Sequence, residues 1–122
     1  MNTKLKIVSR KDLCSLLAGS PAILVMGSFD PLLAPLAQRL SELTRPAKAK
    51  LVTAVCDPPG SILSLAARLE MTAALTVVDF VLPHEPGLES EFPWTIIHDD
   101  TELHAQWNAA FKQHVRRRSH SA

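Results

Sequence analysis

The residues of this chain whose types could do chemistry follow two short apolar stretches. Residues 27–31, GSFDP, end the first stretch; Gly27 permits a sharp turn and close backbone approach, and Asp30 could orient a ligand or bind a metal. Asp57 follows the second stretch, and Arg68 could reach a phosphate group from the next helical segment. The candidate phosphate-binding residues are Gly27, Ser28, Phe29, Asp30, Asp57 and Arg68. Asp30 is a catalytic candidate only if the chain is an enzyme.

The charged candidates also have structural alternatives, which we favour from the residues alone. An aspartate in the position of Asp30 often caps the following turn or helix, and Asp57 fits a turn residue. Asp79 is expected to fix the start of its strand. The alternative for Arg68 is a solvated helix face.

The histidines and cysteines do not form a recognisable metal or catalytic set. His84, His98 and His104 match no standard zinc spacing, so no metal site is predicted. Mg²⁺ is expected only if a nucleoside triphosphate binds. Cys14 and Cys56 are isolated, which is typical of buried or half-buried thiols. No Ser-His-Asp or Cys-His pair can be assembled.

Alternating strands and helices must position these candidates. Residues 22–26 and Lys50–Val55 are continuously apolar, as in strands covered on both faces, and Ser9 with Asp12 fits a capping box for a helix at Arg10–Leu17. The other predicted elements are a lead-in at 6–8, a helix from 33 closed by residues 45 and 46, a helix at 61–75, a strand at 77–82, a loop at 83–93, a strand at 94–97, and a last helix capped at 99–101 that ends near 117. The apolar stripe of the last helix predicts its buried face: Leu103, Trp107, Ala110, Phe111 and Val115.

This order predicts βαβ units and a three-layer, Rossmann-like α/β fold with a four- or five-stranded parallel sheet. Ligands of such sheets bind at the carboxyl ends of the strands, which here gather residues 27–31, 56–60 and 83–85. We expect one domain at residues 1–118 and a flexible tail at 119–122.

Composition narrows the classes of partner. The chain has 122 residues, a formal net charge of +1, few aromatic residues and no tyrosine, which does not favour nucleic-acid binding. The basic run at Arg116, Arg117 and Arg118, with His114 and His120 nearby, fits a solvated helix end better than a nucleic-acid contact. No signal peptide or membrane span is visible, so a cytoplasmic protein without a membrane partner is expected.

The segment GSFDP resembles the opening motif of the cytidylyltransferase-like nucleotidyltransferases, in which glycine, a variable residue and Phe-Asp precede His-x-Gly-His. Residues 6–17 look like the lead-in helix of bacterial heptose phosphate adenylyltransferases. Residues 64–83 are similar to the family's third-helix segment at these positions: Arg68, Glu70, Ala74, Leu75, Val78 and Asp79. The resemblance covers residues 6–83 and implies a nucleotidyltransferase fold with phosphate held at the first strand–helix junction.

The departures from the family pattern concern the phosphate-handling residues. Leu33-Ala34-Pro35-Leu36 stand where the family has His-x-Gly-His, whose histidines stabilise charge on the nucleotide phosphates. The family's lysine after the second strand and its late Ser/Thr-rich motif have no match either. The resemblance therefore implies a degenerate, catalytically inactive member that retains nucleotide or phosphate binding or serves as an association scaffold.

Two alternatives stay open. One is an active nucleotidyltransferase with an unusual pocket, joining a nucleoside triphosphate to a sugar or alcohol phosphate with Asp30, Asp57, Arg68 and Mg²⁺. The other is a protein-interaction module that forms a homodimer or binds another protein through exposed apolar side chains, for which the candidates are Leu32, Phe92, Trp94 and Trp107.

Overall fold

A computed structural model describes residues 3–44 and 48–120, without the side chains of residues 3, 4, 112 and 114–120. Its strands form one parallel sheet in the order β3-β2-β1-β4, with β1 Ala22–Gly27, β2 Lys50–Val55, β3 Phe80–Pro83 and β4 Ile96–Asp99. The helices are α1 Arg10–Leu17, α2 Ala34–Thr44, α3 Leu65–Ala73, α4 Leu88–Glu91 and α5 Thr101–His120. The predicted Rossmann-like, three-layer α/β fold is confirmed, with four strands in the described residues.

Strand β1 lies inside the sheet, hydrogen-bonded to β2 on one side and to β4 on the other. All six of its residues are buried, as its continuous apolar pattern predicted. One core packs between the sheet and helices α2 and α3: Ile23, Val25, Phe29, Leu40, Leu51, Val55, Ala73, Val78 and Val81. The other packs between the sheet and helices α1 and α4: Leu13, Leu17, Ala22, Leu24, Met26, Val52, Ala54, Leu82 and Leu88.

Local signals set the bounds of α1 and the start of β3. Helix α1 has the predicted limits, and the Ser9 hydroxyl accepts the backbone N–H of Asp12. Before it, a 3₁₀ turn at Thr3–Lys6 leads to Ile7, which makes a single parallel bridge to Val81. Asp79 fixes the start of β3 as expected, because its carboxylate accepts the Leu51 N–H at 2.8 Å.

Several elements differ from their predicted limits. Strand β3, predicted at 77–82, runs from Phe80 to Pro83. Helix α3 begins at Leu65 rather than at residue 61, because Ser64 caps it and residues 61–64 form a separate loop. The predicted loop at 83–93 contains the short helix α4 after Gly87, whose φ of 87° lies in the left-handed region. Strand β4 is shifted two residues beyond the predicted strand at 94–97, because Phe92 and Trp94 pack against the α1 side of the sheet.

The buried face of α5 is not the predicted apolar stripe. Its buried side chains are His104 and Asn108, which are 1% and 8% exposed. The predicted stripe is half-buried or exposed wherever its side chains are described, at Leu103, Trp107, Ala110 and Phe111. The prediction was wrong because α5 packs over the carboxyl end of β1, where backbone and hydroxyl groups require polar partners.

The end of the chain is helical for longer than predicted. Helix α5 runs to His120, so residues 119 and 120 of the predicted tail belong to it, and residues 121–122 lie outside the described residues. The side chains of the basic run at 116–118 and of His114, His120 and Val115 also lie outside the described part of the chain.

No helix in residues 3–44 or 48–120 is both long and apolar enough to cross a membrane.

Thr53 offers a test of the core. This threonine lies in the middle of β2 and is fully buried, and its Oγ1 has no hydrogen-bond partner in residues 3–44 and 48–120. Thr53→Val keeps the shape and removes the unpartnered hydroxyl, so we expect the free energy of unfolding to rise by about 1 kcal/mol. Urea denaturation measures this change. A loss of stability would show that the hydroxyl has a partner in solution.

Candidate functional site

A cleft of about 540 Å³ opens at the carboxyl end of the sheet. The loops after β1 and β2 form one wall, and the first turns of α5, which follows β4, form the other. Strand order reverses between β1 and β4, the place where open α/β sheets bind ligands. The residues that line the cleft are Ser28, Asp30, Cys56, Asp57, Pro58, Pro59, Gly60, Ser61, Thr101, Ala105, Asn108 and Ala109. Of the six predicted site residues, the cleft therefore gathers Ser28, Asp30 and Asp57.

The backbone at Gly27 is closely approached by another group, as its residue type predicted. The approaching group is the His104 side chain of α5. A Cβ added at Gly27 would lie 2.3 Å from Cε1 and 2.5 Å from Nδ1 of His104. The next residue but one, Phe29, has a φ of 49°, and its N–H donates to His104 Nδ1 at 3.1 Å. The two rings meet edge to face, with their centroids 4.4 Å apart. Gly27 and Phe29 therefore hold α5 on the sheet, and the Phe29 side chain belongs to the core.

His104 is held in its neutral form. Burial lowers its pKa to about 4, Arg39 acts in the same direction, and Asp100 opposes them. Because Nδ1 accepts the Phe29 N–H, the ring proton is assigned to Nε2. The ring is therefore a fixed hydrogen-bond acceptor for the turn after β1.

Stability should fall in mild acid because of His104. Its folded pKa lies below its ordinary value of 6.5, so the unfolded chain binds the proton first as the pH falls. The contribution of His104 to the free energy of unfolding is fully present above pH 6.5 and is lost towards pH 4. The loss between pH 7 and pH 5 is about 2 kcal/mol. Urea denaturation at both values, with His104→Gln as the non-titrating control, measures it. Equal pH dependence in both proteins would contradict the assignment.

Asn108 is the second residue that the apolar pattern missed. Its Nδ2 donates to the Ser28 hydroxyl at 3.0 Å, and its Oδ1 is buried without a partner in the part of the chain that the structure describes. A signal for both residues exists in the sequence, because Asp100, His104 and Asn108 are spaced by four and form a polar stripe along one helix face.

Asp30 is committed to the loop before α3. It is 3% exposed, and its two carboxylate oxygens accept the N–H groups of Ile62 at 2.6 Å and Leu63 at 2.7 Å. The favoured alternative of a capping aspartate therefore describes its contacts, although the capped turn belongs to residues 61–64 rather than to α2.

Arg68 is not on a solvated helix face, so that expectation was wrong. Its side chain is fully buried, and four of its five N–H bonds have acceptors in the protein. Nε donates to the Leu63 carbonyl at 3.2 Å, and one terminal nitrogen donates to the carbonyls of Ser28 at 3.0 Å and Cys56 at 2.7 Å. The other terminal nitrogen pairs with Asp57. Arg68 thus ties the ends of β1 and β2 to the start of its own helix.

Asp57 and Cys56 form the solvent side of the same cluster. The Asp57 side chain is 56% exposed and pairs with Arg68 through one oxygen. Burial raises the pKa of the half-buried Cys56 thiol, so it is a neutral group at physiological pH. Cys14 is exposed, so the expectation of a buried or half-buried thiol was wrong there.

Further ion pairs lie near this edge. Arg39 on α2 forms a two-pronged pair with buried Asp100, at 2.6 and 2.9 Å, which fastens α2 to the start of α5. His84 pairs with Glu89. In the part of the chain that the structure describes, no three His, Cys, Asp or Glu residues are grouped as a metal site would require.

The positions that match His-x-Gly-His in the resemblance are occupied by structural residues. Leu36 belongs to the buried face of α2 and is 2% exposed. Leu33 is half-buried, and its carbonyl accepts the N–H groups of Leu36 and Ala37 at 3.0 Å. Neither leucine offers a donor to a phosphate.

The fold and cleft define this chain as a Rossmann-like α/β domain with a ligand-sized cleft at the strand-order switch. No family model matches the chain, and no curated protein or solved structure matches it significantly.

Proposed function

We propose that this chain is a non-catalytic relative of the nucleotidyltransferases, whose cleft binds a small molecule but does not hold a Mg²⁺-nucleoside triphosphate. The observation that carries the proposal is the state of Arg68. This side chain is fully buried and gives four N–H groups to protein acceptors, so it is a structural tie rather than a phosphate ligand.

The charges around the cleft support the same conclusion. Of the described side chains that line it, Asp30 and Asp57 are acidic and none is basic. A triphosphate carries several negative charges, and its transfer depends on cations and donors that neutralise them. Leu33 and Leu36 supply neither at the helix start.

Turnover tests the proposal directly. The purified chain is incubated with CTP or ATP, Mg²⁺ and a panel of sugar and alcohol phosphates, and pyrophosphate release is followed. We expect no release above a protein-free blank. Release that Asp30→Asn abolishes in a folded protein would overturn the proposal, and it would establish the alternative of an active enzyme.

Association through β4 is a second candidate function, favoured by a specific observation. Strand β4 pairs only with β1 among the described strands, and Ile96 and Ile97, on its opposite faces, are 44% and 42% exposed. Of the four predicted contact residues, Trp107 is 41% exposed, whereas Leu32, Phe92 and Trp94 are half-buried against the cores.

Sedimentation velocity over a concentration series tests this association. A dimer that Ile97→Lys disrupts, and that the control Ile62→Lys leaves intact, would support it. Ile62 is a matched control because it is 53% exposed and lies in the loop before α3. A monomer at every concentration would exclude a stable homodimer.

A further inference from the structure

We propose that the cleft selects a small organic cation, with N–H donors at one end and an apolar body at the other. The inference rests on the proposed function, because it names the class of ligand for the same cleft. Three features of the described residues carry it: the sign of the charge, a buried acceptor without a partner, and apolar walls.

The charge is negative on the open side of the cleft. Asp57 is 56% exposed there and shares only one of its oxygens with Arg68. Asp99 lies beside the cleft, where it accepts the hydroxyl of Thr101 at 2.6 Å, and this bond lowers the pKa of Asp99. Asp99 and Glu89 also add to the effect of burial in raising the pKa of the Cys56 thiol, against the opposing effect of Arg68. A cation is attracted by this arrangement and an anion is repelled.

The acceptor is the amide oxygen of Asn108. Asn108 lines the cleft, is 8% exposed, and uses its Nδ2 on the Ser28 hydroxyl, which fixes the orientation of the amide. Its Oδ1 is buried and has no hydrogen-bond partner among the described residues. Buried polar atoms are almost always paired, so an unpaired acceptor in the wall of a cleft indicates a ligand that brings the donor.

Most of the remaining wall is apolar. Pro58 and Pro59 stand on the β2 side, and Ala105 and Ala109 stand opposite on α5. The two prolines are stiff, so this side of the cleft keeps its shape without a ligand. A flat or aliphatic body fits between these walls, with its N–H head directed at Asn108 and Asp57.

Three compounds of one shape separate charge from fit: benzamidine is a cation with N–H donors, benzamide is neutral, and benzoate is an anion. Calorimetric titration of the full chain should give the order benzamidine, benzamide, benzoate from tightest to weakest. Benzamidine should be at least about tenfold tighter than benzoate, because a hydrogen bond to a charged group is gained and a repulsion is avoided.

Two variants test the residues. Asn108→Leu removes the acceptor at nearly constant side-chain volume. It should lower the affinity for benzamidine by about tenfold, since it leaves an N–H donor of the cation unpaired. Gln38→Leu is the matched control, because it removes an exposed amide on α2 that bonds Glu42 and does not line the cleft. Asp57→Asn keeps an acceptor for Arg68 and should reduce the difference in affinity between benzamidine and benzoate. Thermal unfolding of each variant shows whether it is folded.

The outcomes separate this inference from the proposed function. Tighter binding of benzoate or inorganic phosphate than of benzamidine overturns the cation class, while the absence of nucleotide turnover keeps the proposed function. No binding by any of the three compounds also overturns the inference. Nucleotide turnover overturns the proposed function whatever the benzamidine series gives. Equal benzamidine affinity in the wild type and in folded Asn108→Leu removes Asn108 from the site.

Discussion

Replacing Arg68 with methionine is expected to destabilise the protein by about 4 kcal/mol, because a buried charged donor is removed and its partners stay behind. The carbonyls of Ser28, Cys56 and Leu63 lose a donor, and Asp57 loses its cation. Methionine has a similar length and is apolar, so cavity formation contributes little. Urea denaturation gives the free energy of unfolding.

The matched control for this prediction is Arg10→Met. Arg10 also pairs with two carboxylates, Glu85 and Glu91, but it does so at the surface. Exposed ion pairs contribute little to stability, so the free energy of unfolding of this variant should stay close to that of the wild type. If Arg68→Met cost no more than the surface variant, Arg68 would not be a structural tie, and its guanidinium would be free to serve a ligand.

Gly27→Ala should cost about 3 kcal/mol, at the upper end of overpacking effects, because the new methyl group meets a ring rather than a flexible chain end. The nearest atoms of His104 would be 2.3 to 2.8 Å from it, and α5 would have to lift from the sheet. The effect is therefore a test of how firmly α5 closes over the end of β1.

A double-mutant cycle shows whether the cost comes from His104. His104→Ala alone should lose about 2 kcal/mol, since the buried Phe29 N–H loses its acceptor. In that background Gly27→Ala should cost less than about 1 kcal/mol, because the ring is gone. Equal cost of Gly27→Ala in both backgrounds would contradict the contact between Gly27 and His104.

The parts of the fold that could be predicted are those governed by apolar periodicity and by local capping. Strand β2 and helix α1 have their predicted limits, and β1 extends one residue further than predicted, because each follows from its own residues. The position predicted for strand β4 was wrong by two residues. Its isoleucines are exposed on both faces and give no burial pattern, whereas the aromatic residues before the strand are half-buried.

The candidate site was harder to predict, because its geometry depends on contacts between distant parts of the chain. Asp30 and Arg68 were identified from their types, but their partners could not be. These partners lie 5 to 40 residues away and use mainly backbone atoms, which the residue types do not indicate. His104 and Asn108 were missed because the apolar stripe of α5 was assumed to face the core. A polar stripe with a spacing of four was visible on the same helix, and it marked the buried face.

The most direct test of whether the cleft excludes nucleoside triphosphates is the binding of CTP and ATP, each with Mg²⁺. Thermal shift and calorimetry measure this binding, with CMP and AMP for comparison. We expect that neither triphosphate stabilises the protein, because Arg68 is committed to protein acceptors and the charged side chains in the described lining of the cleft are acidic. A ligand at ~100 times its Kd adds about 2.7 kcal/mol to stability. A gain of that size with either triphosphate would show that the cleft holds a nucleoside triphosphate and would contradict the proposed function.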